Sequence, residues 1–167
     1  MPRVTYVKSA RKDNPVCKAG EPYYWWKFRH GGKRYSLKRP RPSQLTQSPY
    51  LSSVRSLVEQ INDASFSIVA EFEEFRDEIV NELVELRDQC QESLDNMPES
   101  LQDSPTGELL QERIDALDNA ENEISGLDIE EIDEEEFDDE DDAQAELDDR
   151  ISNAISEMED PVSCCDL

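Results

Sequence analysis

Apolar and polar positions alternate near the start of the chain and later take up a helical spacing. Residues 4–8 (VTYVK) are β-branched and aromatic, which predicts a first strand. Residues 9–20 carry Asp13-Asn14-Pro15 and Gly20 and read as a loop. From Pro22 the period is two, with Tyr24, Trp26 and Phe28 pointing one way and Tyr23, Trp25, Lys27 and Arg29 the other. His30-Gly31-Gly32 offers the positive φ of a tight hairpin turn. On the return, Tyr35 and Leu37 are expected to join the Tyr24 face as core, leaving Arg34, Ser36 and Lys38 beside Trp25. Three strands with one buried face make the smallest sheet that holds, and a helix against it is expected.

Residues 38–49 (KRPRPSQLTQSP) are Pro-rich and polar, a linker by composition. Ser48 is a good N-cap and Pro49 suits the first helical position. Apolar residues then recur in steps of three and four: Val54, Val58, Ile61, Ile68, Phe72, Phe75, Ile79, Leu83, Leu86, Cys90, Leu94 and Met97. A break is expected near Asn62-Asp63-Ala64-Ser65, Pro98 ends the helix, and Pro105-Thr106-Gly107 completes a turn region. A second helical stripe runs through Leu110, Ile114, Leu117, Ala120, Ile124 and Leu127, with Gly126 near its end. A third runs through Ala143, Leu147, Ile151, Ala154, Ile155 and Met158 and is expected to stop at Pro161.

Each stripe is narrow and backed by carboxylates, so the helices must pair to bury anything. The expected fold is α+β: a three-stranded antiparallel β module (1–41), a linker (42–49), an acidic helical hairpin or coiled coil (50–127), a disordered acidic segment (128–142), an amphipathic helix (143–160) and a tail (161–167). A homodimer through the long stripe is the rival to the hairpin.

Charge sharpens this division. Residues 1–43 hold twelve Lys/Arg against Asp13 and Glu21, whereas residues 44–167 hold five Arg and no Lys against 39 acids. The net charge of −24 is therefore a basic head joined to a strongly acidic remainder. Acidity spread for solvation in a saline host does not fit a basic head. Residues 128–142 hold twelve acids in fifteen positions, a density at which carboxylates repel and an isolated segment does not fold.

No apolar run is long enough to span a bilayer, and the first residues lack the apolar core of a signal peptide. Cys17, Cys90, Cys164 and Cys165 have no C-x-x-C spacing and read as reduced thiols, which suits the cytoplasm. Cys164-Cys165 reads as an exposed vicinal pair. Cys17 with His30 is two ligands short of a zinc site, and residues 133–142 lack the glycine and spacing of a calcium loop. Carboxylates on solvated helix faces have no pocket to shift their pKa, so an enzyme is not expected, nor a cofactor.

What stands out is the stretch 21–41, EPYYWWKFRHGGKRYSLKRPR, with both tryptophans, the only histidine and a dense set of cations. A two-stranded ribbon fits the DNA major groove, its cations neutralise phosphates, and exposed rings stack on unpaired bases. Candidate nucleic-acid contacts are Tyr23, Trp25, Lys27, Arg29, Lys33, Arg34 and Lys38. The pattern made by Gly20, Tyr23, Tyr24, Trp26, Phe28, Gly32, Lys33, Arg34, Tyr35 and Ser36 resembles the three-stranded sheet of phage-integrase arm-binding and AP2-like DNA-binding domains. The resemblance covers about 35 of the 167 residues. It implies a sheet laid in the major groove with a helix behind it, and it puts Trp25, Lys27, Arg29 and Arg34 on the contacting face. A recombinase catalytic set does not follow, because a lone His30 and an acidic remainder cannot supply one.

In the acidic half, Ile129, Ile132 and Phe137 among carboxylates are candidate contacts to a basic, apolar groove on a protein partner. The expected function is non-enzymatic nucleic-acid binding by the β module, with acidic helices that recruit a basic partner or restrain the module. The alternatives are a phage-type acidic mimic of nucleic acid that inhibits a host enzyme, and a coiled-coil scaffold. A solvated basic hairpin with a solubilising acidic tail is the plainest account of the same charges.

Overall fold

The structure is a computed structural model describing residues 1–129 and 140–167. Two compact units result, Met1–Ser56 and Leu57–Leu167, and the division falls inside a helix.

In the first unit, β1 (Thr5–Val7), β2 (Tyr23–Lys27) and β3 (Lys33–Ser36) form an antiparallel sheet in the order β1-β2-β3. The loop from β1 to β2 is tied by backbone bonds from Ala10 N–H to Glu21 C=O at 2.8 Å and from Gly20 N–H to Ala10 C=O at 2.8 Å. Gly20 carries φ +96°, a conformation that favours glycine. Inside the loop Asn14 Oδ1 accepts from the amides of Val16 and Cys17, each at 3.0 Å, an Asx turn. A 3₁₀ turn (Pro42–Leu45) occupies the middle of the expected linker, and α1 (Pro49–Asp63) follows. Ser48 Oγ accepts from Leu51 N–H at 3.4 Å, as the N-cap reading requires.

The hairpin turn departs from expectation. Gly31 and Gly32 both have negative φ, and the turn closes by a bond from Gly31 N–H to Phe28 C=O at 3.4 Å. A Cβ on Gly31 would approach Gln47 Nε2 to 3.0 Å and Phe28 Cβ to 3.4 Å, a tight fit that a small shift of the Gln47 side chain relieves.

In the second unit the long stripe is broken as expected, between Asp63 and Val69. Helix α2 (Val69–Asp95) runs for 27 residues and buries Phe72, Ile79, Leu83, Leu86 and Cys90. A single turn, α3 (Glu99–Gln102), leads into α4 (Pro105–Ser125), which buries Ile114, Leu117, Ala120 and Ile124. Helix α5 (Glu140–Ser163) buries Ala143, Ile151, Ile155, Met158 and Val162. Helix α4 packs on both α2 and α5. Cross-links fix the directions: Arg87 pairs with Asp118 and Glu121, and Arg76 reaches Leu127 C=O at 2.8 Å, so α2 and α4 are antiparallel. Arg113 Nη2 donates to Leu167 C=O at 2.8 Å, so α5 runs antiparallel to α4.

Two boundaries are corrected. Ser104-Pro105 is a second Ser-Pro helix start rather than part of a turn: Ser104 Oγ accepts from Gly107 N–H at 3.4 Å and Pro105 takes the first helical position. Pro161 does not stop α5, which runs on to Ser163 because Met158, Val162 and Cys165, each 0% exposed, anchor its last turns. Burial there outweighs the missing amide. The acidic segment expected to be disordered lies largely outside the described residues.

Substituting Gly107 by Ala would place a Cβ 2.0 Å from the backbone oxygen of Gln102. The α3–α4 junction must then open, and Gly107→Ala is expected to cost about 1–3 kcal/mol by denaturant unfolding, although Ala is the better helix former. Arg87→Gln would leave Asp88, Asp118 and Glu121 facing one another. The expected loss is about 1 kcal/mol at low salt, shrinking in 1 M NaCl as repulsion is screened.

Candidate nucleic-acid interface

Strand register decides what each face of the sheet presents, since cross-strand partners share a face. The pairs Thr5↔Trp25, Trp25↔Tyr35 and Lys27↔Lys33 put Thr5, Val7, Tyr23, Trp25, Lys27, Lys33 and Tyr35 on one face. The pairs Tyr6↔Tyr24, Tyr24↔Ser36 and Trp26↔Arg34 put Tyr6, Tyr24, Trp26, Arg34 and Ser36 on the other. The expected distribution on β3 is thus reversed. Tyr35 belongs with Trp25 and not with the Tyr24 core, and Arg34 and Ser36 stand on the Trp26 side. Five residues, 28–32, connect the paired Lys27 and Lys33, an odd number where the two-residue tight turn expected at His30-Gly31-Gly32 has an even one, and that change of parity exchanges the faces of the returning strand.

On the Trp25 face, Lys33 Nζ lies 4.7 Å from the Trp25 ring centroid, a cation–π contact. Tyr23 and Tyr35 approach to 6.1 Å between ring centroids with planes tilted by 40°. The three rings are half-buried, and Lys27 and Lys33 are exposed. On the opposite face Trp26 is buried at 4% exposure, while Tyr6, 51% exposed, packs its ring 4.9 Å from that of Tyr24. Arg29 is exposed in the turn and Lys38 is exposed just beyond β3.

Counter-charge is scarce in this unit. Residues 1–56 contain thirteen Lys/Arg and only two carboxylates. Both bind loop amides: Asp13 Oδ1 accepts from Ala19 N–H at 2.7 Å and Glu21 Oε2 from Lys18 N–H at 2.8 Å. Lys27 and Lys33 therefore face each other across the strands as like charges, an arrangement that costs stability unless an anion lies over it.

The stretch expected to be a plain linker forms part of a cleft of about 500 Å³ lined by Val16, residues 35–39, Arg41 and Gln44. Sequence reasoning passed over it because prolines and polar residues signal a linker; the cations Arg39 and Arg41 beside Pro40 and Pro42 were the available clue. In the second unit a cleft of about 450 Å³ is lined by Phe66, Ile155, Asp148, Asp149 and Glu159 among others. Of the candidate partner contacts, Ile129 is half-buried beyond α4, and Ile132 and Phe137 lie outside the described residues.

The vicinal cysteines are not an exposed pair. Cys164 is exposed, but Cys165 is wholly buried, and burial pushes its thiol up to about 11, with Cys164 adding to the rise. Burial also raises the Cys90 thiol, against the opposing pull of Arg113. Cys17 is buried and its sulfur accepts from Asn14 Nδ2 at 3.1 Å. Among the described residues no group of three or more His, Cys, Asp and Glu is placed to hold a metal, and no helix is long and apolar enough to cross a membrane. No family model, curated protein or solved structure matches this chain in comparisons with known proteins.

One thiol, that of Cys164, is expected to react quickly with a disulfide reagent at pH 8, and the other three only on unfolding. The raised Cys165 value also sets a pH dependence. The folded form holds the proton more tightly than the unfolded chain, so this contribution is complete below the ordinary thiol range and is lost as pH climbs toward 11. Unfolding free energies of the wild type and Cys165→Ala should converge over that window.

Proposed function

We propose that this is a non-enzymatic, cytoplasmic nucleic-acid-binding protein whose contact surface is the Trp25 face of the sheet. The observation that carries the reading is the facing pair Lys27 and Lys33 beside Trp25, in a unit whose two carboxylates are occupied elsewhere. Lys27 and Lys33 neutralise phosphates, and Trp25, Tyr23 and Tyr35 supply ring surface for bases. Arg29 and Lys38, at the two ends of the β2–β3 hairpin, extend the cationic track. Arg34, on the opposite face, adds to the field rather than to the contact. The acidic helices recruit a basic protein partner or restrain the module. The acidic cleft beside Phe66 supports the first role, because it joins three carboxylates to apolar wall, a fit for Lys or Arg side chains.

Binding of the full chain to mixed-sequence DNA and RNA should fall steeply with salt, with a slope set by the number of phosphates neutralised. The double variant Lys27→Glu/Lys33→Glu should lose at least tenfold in affinity at low salt. Trp25→Phe should abolish most of the tryptophan fluorescence change on binding, since Trp26 is buried on the other face. Absence of binding at 50 mM salt, or an affinity indifferent to the two lysine substitutions, refutes the reading.

A further inference from the structure

We infer that the cleft between β3 and the 3₁₀ turn is a subsite for one unpaired nucleotide, which makes a single strand the preferred nucleic acid. The inference rests on the nucleic-acid reading and specifies its ligand. Tyr35 connects the two regions: it faces Trp25 across the strands and also lines the cleft with Leu37, Lys38, Arg39, Arg41 and Gln44. A strand lying along Lys27, Lys33 and Trp25 therefore runs on into it.

The wall is built before any ligand arrives. Lys38 N–H donates to Ser36 Oγ at 3.2 Å, Arg41 N–H to Gln44 Oε1 at 3.1 Å, and Gln44 N–H to Arg41 C=O at 3.0 Å. Pro40, buried, and Pro42 restrict the same stretch further. Preorganisation of this kind lowers the entropic cost of binding. The lining calls for a ligand with two unlike parts. Lys38 and Arg39 demand an anion, while the Tyr35 ring and Leu37, an apolar side chain left 59% exposed, offer a surface for something flat and apolar. A nucleotide has both parts, and a volume of about 500 Å³ lies within the usual range for small-ligand sites. Paired bases in a duplex keep their faces stacked and present phosphates alone, so a duplex uses the cations and leaves Leu37 and Tyr35 idle.

The test compares full-length protein binding to labelled dT12, rU12 and a 12-base-pair DNA duplex by fluorescence anisotropy at one salt concentration. The single strands should bind at least tenfold more tightly than the duplex, and the ratio between dT12 and rU12 tells which sugar is favoured. Leu37→Glu, at an exposed position that the fold does not need, should weaken single-strand binding about tenfold and duplex binding about threefold. Tyr35→Leu should act the same way on single strands with less than twofold effect on the duplex. Equal weakening of both ligands by both variants, or a duplex bound as tightly as the single strands, overturns the subsite and leaves the nucleic-acid reading standing. No binding to any of the three ligands overturns both.

Discussion

The β2–β3 register is the constraint on which the candidate site depends. Pairing Trp25 with Tyr35 and Lys27 with Lys33 gathers three rings and two ammonium groups on one surface, and the same pairing sends Arg34 and Ser36 to the other. Because strand side chains alternate, no local adjustment can move one of these residues without moving all of them. The turn that joins the two strands, residues 28–32, brings Gly31 against Phe28 and the end of the Gln47 side chain, a tight fit for any Cβ.

The helical unit solves an opposite electrostatic problem. Residues 57–167 contain 39 carboxylates and four arginines. Self-repulsion on that scale opposes compaction, and apolar stripes spaced three and four residues apart must outweigh it. The arginines are placed where they count most. Arg87 sits between α2 and α4, and Arg76 closes the far end of the same pair by holding Leu127 and Asp128. Arg113 ties the start of α4 to the C-terminal carbonyl of Leu167. Each spans two elements, which a surface pair such as Arg150–Glu146 within α5 does not.

Much of the architecture was legible in the pattern of residues. The change from a period of two to a helical period located the sheet and the helices, and the Asn62–Ser65 break fell where α1 ends. The stripe picked out Phe72, Ile79, Leu83 and Leu86, although in α1 it took Val58 where Leu57 is the fully buried residue. Face assignment on β3 was not legible, since it depends on how many residues the turn consumes, and neither Gly31 nor Gly32 adopts the positive φ that the tight turn presumed. Pro161 misled because its usual meaning is local, whereas the end of α5 is held by tertiary burial of Met158, Val162 and Cys165. Ser104-Pro105 misled for the opposite reason: the signal was as strong as at Ser48-Pro49, but neighbouring Gly107 and Thr106 suggested a turn. Of the candidate contacts, Trp25, Lys27 and Lys33 are brought together, Arg34 is separated from them, and the Lys38–Arg41 cations gain importance from a cleft that composition could not reveal.

The burial of Cys17, Cys90 and Cys165 has a practical consequence when set beside the distribution of lysines. Every lysine precedes residue 39, so an amine-directed dye enters only the Met1–Ser56 unit, and a thiol-directed dye enters the other unit at Cys164 alone. The natural chain is already addressable with two colours, and energy transfer between them reports the spacing of its basic and acidic units without introducing a single cysteine.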